Sequence, residues 1–298
     1  MDIKKSGFVA IVGRPNVGKS TLMNKILGEK IAIVSNKPQT TRNRIMGILN
    51  VEETQIIFLD TPGFHKPRTR LGEFMVKTVN QTIGDVDVVL LVVEAQSKIN
   101  PVELELVEKI KKMKMPAILV INKVDLLEKK DLLIEQIAKF AELHEFSAVI
   151  PISAVTGDGI DILMNELKAF IKEGPMFFPQ DMITDQPEKI LVAEIIREKL
   201  LNLLSDEIPH GTGVIIEKMK ERKGGEITDI EATIYCEKES HKGIIIGKNG
   251  SLLKKVGTNS REELESFFDC KINLQLWVKV KDDWRNRQGI LNLMGYSE

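Results

Sequence analysis

Cysteine is nearly absent: Cys236 and Cys270 are the only two in 298 residues, both in apolar, strand-like surroundings. A disulfide framework is excluded, and a reduced, cytoplasmic interior is expected. Histidine is almost as scarce, with four residues far apart in sequence and none at zinc-site spacing. No apolar stretch approaches the roughly 20 residues of a bilayer-spanning helix. The apolar run behind Lys4-Lys5 is too short for a secretion signal and ends in a glycine loop. Neither sign of charge dominates, the formal net charge being −1, so any contact with nucleic acid must come from a local patch. What remains is room for one large and one small domain, each with its own core.

The stretch Gly13-Arg14-Pro15-Asn16-Val17-Gly18-Lys19-Ser20-Thr21 organises the chain. An apolar run, Phe8 to Val12, precedes it, and apolar residues at helical spacing, Leu22 to Leu27, follow it, giving strand, glycine loop and helix. Such a loop points successive backbone N–H groups at phosphate oxygens, and the helix dipole adds to the attraction. Lys19 would reach the β and γ phosphates, and the Ser20 hydroxyl would ligate Mg²⁺.

Ser35 to Arg44 is polar, aperiodic and carries a proline, so it reads as a loop and as a candidate switch. Thr41, with Thr40 as competitor, would complete the Mg²⁺ sphere and respond to the γ-phosphate. A hairpin follows, Ile45 to Val51 and Gln55 to Leu59, ending in Asp60-Thr61-Pro62-Gly63. A carboxylate at that strand end can hold a magnesium-bound water, and Gly63 lets a backbone N–H approach the γ-phosphate. The next residue is Phe64, where Ras-like enzymes carry a water-orienting glutamine; an apolar ring cannot polarise water.

Helix and strand then alternate: helix Leu71 to Ile83, strand Val86 to Val93, helix Pro101 to Met113 and strand Pro116 to Ile121. This is the pattern of a parallel, helix-covered sheet. Asn122-Lys123-Val124-Asp125 stands at the end of the last of these strands. The Asp125 carboxylate can accept from guanine N1–H and the exocyclic amine, whereas adenine would leave it unpaired. Asn122 can brace neighbouring loops. Farther on, the short strand Val149 to Ile152 leads into Ser153-Ala154 and a helix from about Asp158 to Lys172. In that register the Ala154 amide would meet the guanine oxygen and Ser153 would brace Asp125.

With these motifs in register, residues 1–172 resemble the translation-factor-related GTPases, most closely the Era family. The phosphate loop, Gln39-Thr40-Thr41-Arg42, Asp60-Thr61-Pro62-Gly63 and Asn122-Lys123-Val124-Asp125 carry the resemblance. It implies GTP as substrate and GDP as product. It places Gly13, Arg14, Pro15, Asn16, Val17, Gly18, Lys19, Ser20, Thr21, Asp60, Thr61, Pro62, Gly63, Asn122, Lys123, Asp125, Ser153 and Ala154 at the nucleotide. Mg²⁺ would fall to Ser20, Thr41 and, through water, Asp60, with Lys19 and Thr41 in the catalytic set. In relatives with an asparagine matching Asn16, that side chain holds a potassium ion beside the phosphates, so Asn16 joins the catalytic set on the same ground.

Gly174, Pro175 and Pro179 break the helical pattern, and 176–188 reads as a linker between a GTPase domain at 1–175 and a second domain at 189–298. The second domain reads helix (Lys189 to Leu204), strands (Gly213 to Lys220, Ile227 to Glu237), helix (Leu253 to Phe268), strand (Lys271 to Val280) and a closing helix within Asp282 to Met294. The expected fold is an α/β GTPase domain with a mostly parallel sheet, plus a small α+β domain.

Inside the second domain lies Ile244-Ile245-Ile246-Gly247-Lys248-Asn249-Gly250-Ser251. A Gly-x-x-Gly turn framed by helices brings backbone close to a single strand's phosphates, and the isoleucines would supply an apolar floor. From Ser240 to Arg261 there is no carboxylate, and there are five basic residues, Lys242, Lys248, Lys254, Lys255 and Arg261. Trp277 reads as core, while Trp284 is open between core and base stacking. This segment resembles the KH RNA-binding module. One GTPase domain followed by this module is the arrangement of the Era family, which implies binding of small-subunit ribosomal RNA near its 3′ end during ribosome assembly. The resemblance also implies a monomer partnered by the small ribosomal subunit, in the cytoplasm and loosely associated with the inner face of the bacterial membrane. A competing reading, prompted by Phe64, is a nucleotide-gated scaffold in which hydrolysis is incidental.

Overall fold

A computed structural model of the chain describes residues 3–296 apart from 38, 66, 68, 97, 130, 206 and 207. It divides into two compact units. The first comprises Met1–Ala32, Thr41–Lys66 and Met75–Asp185, the second Ile33–Thr40, Pro67–Phe74 and Gln186–Glu298.

In chain order the first sheet is built from β1 (Lys5–Val12), β2 (Ile45–Val51), β3 (Thr54–Asp60), β4 (Val88–Glu94), β5 (Ala117–Asn122), β6 (Ala148–Pro151) and the short β7 (Lys172–Glu173). The order across the sheet is β2-β3-β1-β4-β5-β6. Strands β3, β1, β4, β5 and β6 are mutually parallel, and β2 and β7 run antiparallel to their partners. The continuous apolar runs follow from burial on both faces. Val9 and Ile11 of β1, with Val88, Leu90 and Val92 of β4, face one core; Ala10 and Val12, with Val89, Leu91 and Val93, face another.

The helices of this part of the chain are α1 (Lys19–Leu27), α2 (Arg70–Gly84), α3 (Pro101–Met113), α4 (Asp131–Leu143) and α5 (Ile160–Lys168). α3 starts where the sequence signals it: Pro101 occupies the first turn, the Asn100 side chain accepts from Val102 N–H, and the Glu103 carboxylate accepts from the Asn100 amide. α4 is not anticipated above, although Leu133, Ile137 and Phe140 recur at helical spacing; a buried Gln136 lies in the same inward stripe. α5 is shorter than expected at both ends. The segment read as a linker lies along the β2–β3 hairpin: the Phe177 and Phe178 amides donate to Gln55 Oε1 (2.8 and 3.0 Å), and the Ile48 amide donates to Ile183 O (2.9 Å).

The second unit holds α6 (Glu188–Leu203), β8 (Gly213–Glu221), β9 (Ile227–Cys236), α7 (Glu239–Ile246), α8 (Ser251–Phe268), β10 (Lys271–Val280) and α9 (Gln288–Leu293). Its sheet runs β10-β9-β8, with β10 and β9 parallel and β8 antiparallel. Alternate residues of β9, Ile230, Ala232, Ile234 and Cys236, enter the core with Val192 and Ile196 of α6 and Val256 and Leu264 of α8. The expected closing helix shrinks to α9, because Trp284–Asn286 forms a short 3₁₀ turn ahead of it.

Candidate nucleotide site and nucleic-acid interface

The loop between β1 and α1 owes its shape to positions where a side chain has no room. A Cβ on Gly13 would fall 2.3 Å from Val92 O, and one on Gly18 would fall 2.2 Å from Asn122 Nδ2. Gly18 caps α1 at φ +97° and Asn16 sits exposed at φ +66°, backbone settings that glycine and asparagine adopt most readily. The first turn of α1 carries no acidic residue to compete for an anion. Lys19 is buried, its Nζ donating to Gly13 O (3.2 Å) and Arg14 O (3.1 Å).

Beside the loop three hard oxygens converge. Ser20 Oγ lies 2.6 Å from Asp60 Oδ2 and 2.9 Å from Thr41 Oγ1, and Thr41 Oγ1 lies 3.5 Å from Asp60 Oδ2. Asp60 is wholly buried, yet among the described residues its Oδ1 has no hydrogen-bond partner. A buried orphan acceptor beside two hydroxyls fits Mg²⁺, which takes oxygen ligands and keeps several waters. Thr40, the competitor, turns its hydroxyl into its own loop, donating to Lys37 O at 2.6 Å. Burial pushes the Asp60 carboxyl up to about 6, against the pull of Lys19. Burial likewise brings Lys19 down to about 8, with Asp60 opposing.

Thr61 is buried and donates to Ile11 O (2.8 Å). A Cβ on Gly63 would fall 2.7 Å from Pro15 Cα, so the two loops touch backbone to backbone. Phe64 donates its amide to Gly13 O (3.1 Å) and buries its ring in the core, with Lys109 Nζ 3.9 Å from the ring centroid. It holds nothing polar toward a water.

At the base end Asn122 is buried and acts as a strut: Nδ2 donates to Val17 O (2.8 Å) and Oδ1 accepts from the Ala154 amide (2.9 Å). The Ala154 amide expected to meet the guanine oxygen thus donates here to Asn122. Ser153 Oγ accepts from the Thr156 amide (3.2 Å), shaping its own loop instead of bracing Asp125. Asp125 is exposed in the 3₁₀ turn Val124–Leu126 that directly follows Lys123.

In the second unit the Gly-x-x-Gly turn has Gly247 at φ +74°, Asn249 at +52° and Gly250 at +77°. Lys248, Asn249 and Ser251 are exposed, as are Lys254 and Lys255 on α8. A groove of about 400 Å³ opens beside the turn, with Lys254 and Arg261 on one wall and Leu274 and Leu276 of β10 on the other. The isoleucines divide: Ile244 is 49 % exposed, Ile246 is half-buried, and Ile245 is fully buried in the core, which removes it from the RNA-contacting set. Trp277 reverses its expectation at 43 % exposure, its position on β10 facing away from the helices, and Trp284 is core, its Nε1 donating to Gly211 O (2.9 Å).

Two family models match the chain, one described as 50S ribosome-binding GTPase over residues 8–123 and one as KH domain over residues 207–285. GTPase Era of Clostridioides difficile is 54% identical over 294 residues, covering 99% of this chain and 99% of that protein. The chain belongs to the Era family of GTPases. Two solved Era structures superpose on it with TM-scores of 0.95. One, at 40% identity, holds MgGDPNP and nucleotides 1506-1542 of 16S ribosomal RNA; the other, a variant from Aquifex aeolicus at 41%, is bound to GDP·AlF4−. Each covers 99% of this chain and 100% of the solved one.

Within the Era framework, one group of residues escaped the sequence. Arg14 turns its guanidinium from the loop's mouth to Glu103 (Nε to Oε1, 3.1 Å) and Glu94 (Nη2 to Oε2, 2.5 Å). The Asn-Pro-x-Glu start of α3 fits Glu103 as a cap, but its second bond depends on a residue far away in sequence.

The Asp60 and Lys19 values set a pH window. Below about 6 Asp60 carries a proton that a Mg²⁺-nucleotide held there would expel, and above about 8 Lys19 lacks one that bound phosphates would restore. Affinity for Mg²⁺-GTP is expected to be level between about pH 6 and 8 and to fall toward tenfold per unit on either side. Calorimetry in buffers of different ionisation heat should read proton release at pH 5.5, uptake at pH 8.5 and neither at pH 7.

Proposed function

We propose that this chain binds GTP and Mg²⁺ in the 1–175 domain and hydrolyses GTP slowly. Through the 189–298 KH domain it grips small-subunit ribosomal RNA, as a cytoplasmic, monomeric assembly factor for the small ribosomal subunit. The observation that carries the reading is the convergence of Ser20, Thr41 and Asp60 oxygens within 2.6 to 3.5 Å beside a glycine loop that Lys19 closes. The matching family model speaks of 50S binding, whereas the solved relative that spans both domains holds 16S RNA; we follow the latter because it covers the whole chain.

In this reading Ser20 and Thr41 would hold Mg²⁺, with Asp60 holding it through water, and the ion would supply positive charge against the phosphates. Lys19 leaves the Gly13 and Arg14 carbonyls for the same oxygens. The amides of the loop and of Gly63 surround the phosphates, and Asp125 reads the base. The loop holding Thr41 supports a switch, because its neighbours Ile33–Thr40 count with the second unit. There the Val34 amide donates to Glu198 (2.8 Å) and Arg197 donates to Thr40 O. Ordering Thr41 on GTP therefore pulls on a segment anchored to α6. RNA affinity should differ between GDP and GTP-analogue states, and RNA should alter nucleotide affinity by the same factor. Fluorescence anisotropy with a 16S 3′-end oligonucleotide reads this, and equal affinity in both states would overturn the switch. Phosphate release that RNA leaves unchanged would favour the scaffold reading that buried Phe64 suggests.

Asn16, exposed at the loop's crown, is proposed to hold potassium beside the phosphates. GTP turnover should be at least tenfold faster in potassium than in sodium chloride, and Asn16→Ala should erase the difference. Equal rates in the two salts would remove potassium from the mechanism.

A further inference from the structure

Glu94 ends β4 and lies between the two halves of the nucleotide site. Its Oε2 accepts from Arg14 of the phosphate loop at 2.5 Å, and its Oε1 accepts from Nζ of Lys123, in the base loop, at 3.1 Å. We propose that Glu94 is a positioning residue that couples the phosphate end of the nucleotide site to its base end, so that triphosphate binding and guanine recognition depend on one shared carboxylate. The proposal rests on the reading of residues 13–21 and 122–125 as a GTP site.

The carboxylate has a fixed origin. The Glu94 carbonyl accepts from Gln136 Nε2 (3.0 Å), and the amides of Ala95 and Gln96 bond to Asn122 O (2.8 Å) and Gln136 Oε1 (3.0 Å). Both cations act on backbone that the site uses. Arg14 O is one of the carbonyls that hold Lys19. Lys123 stands between Asn122 and Asp125 with φ +68°, a setting that costs a non-glycine residue energy and persists only where neighbours enforce it. Arg14 is held on its other side by Glu103, which is wholly buried, so its departure toward a phosphate would leave that carboxylate with the Asn100 amide but without the guanidinium. Arg14 is thereby assigned as a rivet of the loop, not as a phosphate ligand. The side chains of Arg14, Glu94 and Lys123 are 19%, 29% and 28% exposed, shielded enough for the charges to be felt. Burial raises the Glu94 carboxyl, but Lys123 and Arg14 together outweigh it and keep the group ionised. Without that charge, Lys123 would lose its carboxylate and Arg14 would keep only Glu103, with no shared anion joining the two loops.

The test is a mutant cycle on nucleotide affinity in the full-length protein, with thermal melting of every variant. Glu94→Gln keeps the shape and removes the charge. It should weaken GTP about tenfold, lower the GTP-over-ATP preference by a similar factor, and raise KM more than it lowers kcat. Arg14→Met and Lys123→Met should be non-additive with Glu94 present, the double variant losing at least threefold less than the product of the singles, and additive in the Glu94→Gln background. GTP and ATP weakened equally by Glu94→Gln, or an additive cycle with Glu94 present, would overturn the coupling while leaving the GTP site intact. Failure of the unsubstituted protein to prefer GTP over ATP would overturn both readings. A fall in melting temperature with unchanged nucleotide preference would show a role in the fold alone and likewise refute the proposal.

Discussion

Replacing Asp125 by alanine should lower GTP affinity by roughly 10³-fold and bring GTP and ATP to within about tenfold of each other, with no change in melting temperature. The carboxylate can take two charge-assisted hydrogen bonds from guanine, and a site built this way separates bases by roughly 10⁴. Asp125 is exposed, so its side chain supports none of the packing among the described residues. Asn122 makes the control, because it lies three residues away and is buried. Its amide joins Val17 to Ala154, and Asn122→Ala leaves a buried carbonyl and a buried N–H without partners, at a cost of about 1–3 kcal/mol each. That variant should melt several degrees lower and bind both nucleotides poorly. Calorimetry with GTP and ATP beside thermal melts separates the two outcomes: a melting loss in Asp125→Ala, or retained guanine preference, contradicts the assignment.

The second large effect belongs to Lys19. Lys19→Met should reduce GTP hydrolysis by more than 10³-fold and abolish the thermal shift that Mg²⁺-GTP confers, while the nucleotide-free protein melts no lower than the unsubstituted one. For the unsubstituted protein that shift corresponds to about 4 kcal/mol at a thousandfold excess over Kd. The amine is buried and its folded value lies near 8, below its ordinary 10.5, so its charged form disfavours folding by roughly 3 kcal/mol at neutral pH. The sign follows from linkage: this penalty is complete below about pH 8 and is relieved as pH rises toward the ordinary lysine value. Asp60 acts oppositely, its penalty complete above about pH 6 and relieved on acidification toward 3.8. Methionine removes the Lys19 penalty but leaves Asp60 without its cation, so the two changes offset. Differential scanning fluorimetry with and without Mg²⁺-GTP measures both halves of the prediction; a large melting loss in the empty state would show that Lys19 supports the fold.

Sequence periodicity located most of the sheet because burial on both faces leaves uninterrupted apolar runs, as in β4 and β5. The loop motifs were legible because glycine and carboxylate at strand ends answer to local backbone geometry. What stayed hidden depends on contacts distant in sequence. Glu94 and Glu103 meet Arg14 across 80 and 89 residues. Helix α4 places a buried amide, Gln136, where periodicity expects carbon, because Gln136 serves the loop after β4. Ile245 and Trp277 were misplaced for a plainer reason: successive residues turn by about 100° in a helix and alternate faces on a strand, and composition does not say which of them points inward.

The stretch that reads as a spacer is better regarded as a hem. β2 is the outermost strand of its sheet, and the Ile48 amide on that border is taken by Ile183 O, while Phe177 and Phe178 are fastened to Gln55 of the adjoining strand. An unhemmed border invites a strand from another molecule. The unit that carries the larger sheet runs to Asp185, and trimming it at 175 would bare a surface suited to clumping.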